Sequence, residues 1–287
     1  MLTLFAFFAI TSQVMIVDAD GANPRTVVSL EGRWEAPNWS PDGSYLLLNS
    51  GGSLYRLPLA DPKPVRVDTG EVNRINNDHG ITPDGRTYII SAGPIYTVPA
   101  GGGAPRRVTE KTPSYWHGVS PDGRTLVYCA PRGEGSARNF DIYAIGIEGG
   151  EERRLTVHPG YDDGPDYSAD GQWIWFNSDR AGSWDLWRMP AAGAGPDDGR
   201  AERMTADEYE DWFPHPSPDG RWVVFLSYEK GVEGHPADKQ VLLRRMDLKT
   251  GKVEVIQRLL GGQGTINVNS WAPDSKRFAF VRYVVTE

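Results

Sequence analysis

Trp39-Ser40-Pro41-Asp42-Gly43 is the stretch that decides the fold. Proline presets φ for the first corner of a turn, aspartate can bond its own backbone, and glycine supplies a positive φ. This is the chemistry of a tight β-hairpin turn with a glycine bulge. The stretch recurs as Ile81-Thr-Pro-Asp-Gly85, Val119-Ser-Pro-Asp-Gly123, Tyr167-Ser-Ala-Asp-Gly171, Pro216-Ser-Pro-Asp-Gly220 and Trp271-Ala-Pro-Asp-Ser275. The turn aspartates fall at positions 42, 84, 122, 170, 219 and 274. The repeat therefore runs at about 40–55 residues, a period that marks propellers, solenoids or arrays.

The flanks of each turn choose among these. Each turn is followed by a β-rich run: Tyr45–Asn49, Thr87–Ser91, Thr125–Cys129, Trp173–Asn177, Trp222–Ser227 and Arg277–Tyr283. A further strand follows the first five, at Ser53–Leu59, Pro94–Pro99, Asp141–Ile147, Asp185–Met189 and Val241–Leu248. A fourth comes after a turn, at Pro64–Val67, Arg106–Thr109, Glu152–Thr156, Ala201–Thr205 and Val253–Gln257. Four strands per repeat are the pattern of a β-propeller blade. The last repeat stops after two strands, and the missing pair is found at the other terminus, in Gln13–Asp18 and Arg25–Ser29. The sequence thus predicts an all-β, six-bladed β-propeller with four-stranded blades, closed by N-terminal strands that join the last blade. Residues 1–287 read as one propeller domain, with 1–11 either a leader remnant or an extra strand.

Composition agrees with this reading. The 287 residues include 33 Gly, 22 Pro and 10 Trp, which is turn-rich and unlike a helical protein. The formal net charge is −8 with no basic run, which argues against nucleic acid as a partner. One cysteine, Cys129, excludes an intramolecular disulfide and a cysteine-based zinc site. The apolar run Leu2–Ile10 is too short for a membrane span, which takes about 20 residues. No basic residue precedes Arg25, so the run is also a poor secretion signal, and the compartment is left as periplasmic or cytoplasmic.

The six turns, with paired strands such as Asp141-Ile-Tyr-Ala-Ile and Glu152-Arg-Arg-Leu-Thr156, resemble the Pro-Asp-Gly propeller repeat of TolB-like proteins. The resemblance covers nearly the whole chain and implies a bacterial propeller that binds proteins. The α/β domain that precedes the propeller in TolB has no counterpart in these residues. The same repeat occurs in prolyl-oligopeptidase-type enzymes, but no Gly-x-Ser-x-Gly nucleophile elbow is present. It also occurs in oligogalacturonate lyases, whose channel holds a metal on histidines and a glutamine.

In a propeller the innermost strands line the central channel, and here they precede the turns. His79 and His117 each stand five residues before the turn aspartate and His215 four before, so all three are candidate channel residues. His79 and His117 share one repeat position and are expected to be neighbours. With nearby carboxylates the three imidazoles could hold a divalent metal such as Zn, Mn or Fe. Asp78, Asp163, Asp166 and Asp211 fall in the same stretches, with Asp166 and Asp211 as candidate general bases. Gln263, Asn267 and Asn269 lie in the sixth inner segment and have no evident partner in sequence, while Trp116 could stack on a ligand. The competing reading is structural: histidines bracing neighbouring blades, aspartates satisfying loop backbone, tryptophan in the core. Two functions follow. The first is a non-enzymatic scaffold that binds a protein, peptide or small ligand at the channel face. The second is a metal-dependent carbohydrate-active lyase or hydrolase acting on an oligosaccharide.

Overall fold

The computed structural model describes residues 9–135 and 138–286. The chain opens with β1 (Ala9–Asp18) and β2 (Arg25–Glu31). Blade 1 follows as β3 (Glu35–Trp39), β4 (Tyr45–Ser50), β5 (Ser53–Pro58) and β6 (Val65–Arg66). Blade 2 is β7 (His79–Ile81), β8 (Thr87–Ser91), β9 (Ile95–Pro99) and β10 (Arg106–Arg107). Blade 3 is β11 (Tyr115–Val119), β12 (Thr125–Arg132), β13 (Asn139–Gly146) and β14 (Arg153–Arg154). Blade 4 is β15 (Asp162–Tyr167), β16 (Trp173–Ser178), β17 (Asp185–Pro190) and β18 (Glu202–Arg203). Blade 5 is β19 (Glu210–Pro216), β20 (Trp222–Tyr228), β21 (Lys239–Asp247) and β22 (Val253–Gly261), and β23 (Arg277–Thr286) completes the set.

Each of the first five blades is an antiparallel sheet in chain order, and the sixth is assembled from both termini in the order β2-β1-β23. The ring closes as the sequence predicts, and the closing strand is longer than expected. β1 pairs with β23 over ten residue pairs, from Ala9 opposite Thr286 to Asp18 opposite Arg277. Residues 9–11 therefore belong to the closing strand; Leu2–Phe8 of the apolar run lie outside the described residues. The inner strand of blade 6 is reduced to a bridge between Trp271 and Phe278. Outer strands are also shorter than the sequence suggests: those of blades 1–4 have two residues each, and each carries an arginine. Short, charged edges resist pairing with another chain.

Period-2 alternation supplies a core to each blade interface. Leu46 and Leu48 pack toward blade 6 with Trp39 and Val281, whereas Leu47 packs toward blade 2 with Tyr88 and Ile90. Val127 and Cys129 likewise face blade 4, with Tyr128 facing blade 2. Cys129 is fully buried, and burial raises its thiol pKa well above the ordinary value.

The Pro-Asp-Gly turns form a second ring on one face. Within a turn, Ser40 Oγ donates to Asp42 Oδ1 at 2.6 Å and accepts from the Tyr45 N–H at 3.1 Å. Gly43 sits at φ 72°, and the same position in blades 2–5 stays between 67° and 73°. Ser275 takes this conformation in blade 6 at φ 58°, and its hydroxyl accepts from the Asp219 N–H of the neighbouring turn at 2.9 Å. Among the described residues, no helix is long and apolar enough to cross a membrane.

Candidate functional site

The segment after β22 crosses the channel instead of forming the expected inner strand. Gln263–Thr265 is a single 3-10 turn, after which Ile266 and Val268 bury into the cores on opposite sides. The peptide between them is held by other blades. The Asn267 amide donates to Asp78 Oδ1 at 2.6 Å and to the Asn77 carbonyl at 3.1 Å. Asn38 donates to the Asn269 carbonyl at 2.6 Å, and Asn269 Nδ2 donates to Asp166 Oδ2 at 2.9 Å. Asn267 and Asn269, without evident partners in sequence, are thus the most heavily bonded amides of the channel. They plug it.

Two histidines complete the plug. His215 lies with Nε2 2.7 Å from the Ile266 carbonyl and Nδ1 3.1 Å from Asp166 Oδ2. His117 places Nδ1 3.3 Å from the Asn267 carbonyl, and Nε2 3.3 Å from Asp163 and 3.9 Å from Asp78. Burial opposes a charge on His117, but the bond to Asp163 and the fields of Asp78 and Asp163 outweigh it and raise its pKa. Burial favours the acid form of Asp163, yet His117, His235 and the Gly164 N–H hold its pKa below the ordinary value. Both shifts describe one ion pair. Asp78, buried and sharing that imidazole, is shifted upward.

His79 does not join them. Its Nε2 faces Asn49 Oδ1 of blade 1 at 3.3 Å, and burial lowers its pKa to about 3. The imidazoles of His79 and His117 take different partners for a local reason. β7 pairs with β8 in unbroken register, whereas β11 slips between Trp116 and Gly118, leaving His117 as an extra residue. A bulge re-aims its side chain, and here it turns His117 into the channel. Asp211 also stands apart. It bonds Ser227 at 2.6 Å and Arg244 at 3.1 Å, and burial pushes its carboxyl up to about 7 against the pull of Arg244. It lines neither channel cavity. Trp116 is core: its ring covers Gly80, where an added Cβ would lie 2.0 Å from Cη2.

The donor set does not suit a metal. His215 and His117 direct both ring nitrogens at oxygen acceptors, and His79 looks into a blade interface. Among the described residues, no three His, Cys, Asp or Glu side chains stand at metal-binding spacing.

The plug leaves a cavity on each side, and His117 borders both. On the turn face a funnel of about 390 Å³ draws lining from all six blades, with Trp39, Ile81, Val119, Tyr167 and Trp271 on its walls. On the far face a cavity of about 320 Å³ is lined by Asp78, Asp163, Tyr115, Phe140, Tyr161 and Gln263, among others. The loop after β20 brings His235 to this far mouth.

One signal was missed in the sequence. Ala36-Pro-Asn38, Gly164-Pro-Asp166 and Phe213-Pro-His215 occupy one repeat position. Their first residues sit at φ 56°, 61° and 55°, inside the register shifts of β3, β15 and β19. The residue after each proline reaches the plug, which explains Asn38, a residue not singled out from sequence.

The model of the TolB beta propeller domain matches residues 120–283. The chain belongs to that family. An uncharacterized protein from Agrobacterium fabrum is 49% identical over 261 residues, covering 88% of this chain and 86% of its own. A solved structure from Agrobacterium tumefaciens, provisionally named TolB, superposes with TM-score 0.90 at 49% identity, covering 96% of this chain and 99% of that one. TolB from Acinetobacter baumannii superposes at TM-score 0.68 and 19% identity, covering 88% of this chain and 64% of that one. A manganese-bound oligogalacturonate lyase shares the fold at TM-score 0.54 and 16% identity, covering 79% and 66%. At that distance the likeness is one of architecture alone.

Proposed function

We propose that this TolB-type propeller is a binding scaffold that takes an extended segment of a protein or peptide in the funnel on its turn face. One observation supports this above others. The funnel gathers tryptophan, tyrosine and proline side chains from the blades around the polar groups of Asn38, Asp166 and Asn269. Such walls match a peptide backbone, which offers carbonyl and N–H groups along an apolar stem. The cavity size is that of an ordinary ligand pocket. The channel's carboxylates and imidazoles are engaged with one another, which favours binding over catalysis.

The test is selection of heptapeptides from a random library against the purified protein, followed by titration. Val119→Arg places a charge on the partly exposed funnel wall without entering the plug. Selected peptides should bind the wild type and lose at least about tenfold in affinity on Val119→Arg, with its melting midpoint unchanged. Peptides that bind both proteins equally, or a selection that enriches none, would overturn the reading.

A further inference from the structure

Four buried aspartates of this protein are matched to arginines. Asp141 pairs with Arg154 at 2.8 Å, Asp162 with Arg180 at 2.8 Å, Asp185 with Arg203 at 2.6 Å and Asp211 with Arg244 at 3.1 Å. Asp78 and Asp163, at the floor of the far mouth, have histidines in that place. They share the imidazole of His117, and His235 on the rim stands 3.7 Å from Asp163. Their other partners are neutral: the amides of Asn76 and Asn267 on Asp78, and the Tyr161 hydroxyl and Gly164 N–H on Asp163. Among the described residues, no lysine or arginine forms an ion pair with either. Two buried carboxylates against one imidazole leave the floor short of positive charge.

The walls have the complementary character. Tyr115, Phe140 and Tyr161 line the cavity, with the Phe140 and Tyr161 rings 4.3 Å apart at their centroids. Aromatic faces attract cations, most strongly where water is excluded. The 320 Å³ cavity has room for a small ligand. Gln263 adds an amide at the edge.

We propose that the far mouth is a second binding site, for a small organic cation: an ammonium or guanidinium group on an apolar stem. The charged head lies against Asp78 and Asp163, and the stem lies along the tyrosine and phenylalanine rings. The plug separates this site from the funnel, so the two bind different chemistry from opposite faces.

Matched probes test this by calorimetric titration at pH 8 in low salt. Benzylamine and phenylguanidine carry the cation; benzyl alcohol and benzoate carry the same ring without it. The cations should bind at least about tenfold tighter than the alcohol, and benzoate should not bind. Asp78→Asn and Tyr115→Leu should each weaken the cations by about tenfold, and Val119→Arg in the funnel should leave them unchanged. Tyr115 is half-buried on the rim, so its variant decides the matter should Asp78→Asn fail to fold. Cations that bind no tighter than the alcohol, or that bind Tyr115→Leu as they bind the wild type, would overturn the proposal. So would loss of binding on Val119→Arg, which would place the probes in the funnel.

Discussion

His215 donates from Nε2 to the carbonyl oxygen of Ile266 at 2.7 Å, joining blade 5 to the segment that plugs the channel. Its Nδ1 meets Asp166 of blade 4, which in turn accepts from Asn269 of the plug. Every member of this chain is buried or nearly so. Removing the imidazole leaves the Ile266 carbonyl without its donor and takes one partner from Asp166, which keeps Asn269 and the Tyr167 N–H. His215→Ala should therefore cost about 2 kcal/mol of stability, chiefly from the buried carbonyl left without a donor. Urea unfolding followed by tryptophan fluorescence measures this, and a loss below about 1 kcal/mol would mean that the plug is not a stabilising element.

Gly80 and Trp116 test the packing beneath the funnel. The missing side chain of Gly80 leaves the space into which the Trp116 ring settles, with three ring atoms within 3.0 Å of where a Cβ would stand. Gly80→Ala forces that ring to move, at a cost of about 1–3 kcal/mol. The same change in a Trp116→Phe background should cost clearly less, since the clashing ring atoms are gone. Equal costs in the two backgrounds would show no coupling between these residues.

The contrast between fold and site has a physical basis. Turn chemistry is local: Ser40, Asp42 and Gly43 bond one another within five residues, so six copies of the pattern identify six blades without reference to anything distant. The channel is not local. His79 and His117 share a repeat position, and only a one-residue slip in β11 sends one inward and the other toward Asn49. Asn267 finds its partners 189 or more residues away, in blade 2. The bulges of β3, β15 and β19 were nonetheless written in the chain, as a residue before proline followed by a polar one, at Asn38, Asp166 and His215.

His79 gives a pH signature of opposite sign to Asp211. Its folded pKa is about 3 against an ordinary 6.5, because burial disfavours the imidazolium and its partner among the described residues is a neutral amide oxygen. Between those values the unfolded chain binds the extra proton, so acid favours unfolding. This contribution to stability is intact above pH 6.5 and is lost as pH falls toward 3, by about 1.4 kcal/mol per pH unit. Asp211, pushed up to about 7 by burial from an ordinary 3.8, holds a proton that the unfolded chain releases, so between those values acid favours folding. The comparison must therefore be differential. Urea unfolding of wild type and His79→Gln between pH 7 and pH 4 should show the wild type losing stability faster on acidification. Parallel curves would mean that His79 titrates normally in the fold.

The turn ring offers a gain in stability. A Cβ at Gly43 would lie 3.6 Å from Pro273 of the preceding turn, at Gly85 3.7 Å from Pro41, at Gly123 3.6 Å from Pro83 and at Gly171 3.4 Å from Pro121. Each of these four prolines thus sits against the next turn's glycine, and Pro273 carries the series across the closure from blade 6 to blade 1. The series breaks once. Blade 4 has Ala169 where the other turns have proline, and the space beside Gly220 is correspondingly empty. The Ala169 N–H makes no backbone bond in the turn, so proline removes nothing there. Ala169→Pro restricts the unfolded chain and restores the missing contact. It should add roughly 0.5–1 kcal/mol and raise the melting midpoint by about 2 °C. Pro121→Ala, the reverse change one blade earlier, should lower the midpoint by a similar amount. A lower midpoint for Ala169→Pro would show that blade 4 holds its turn in a conformation that proline cannot share.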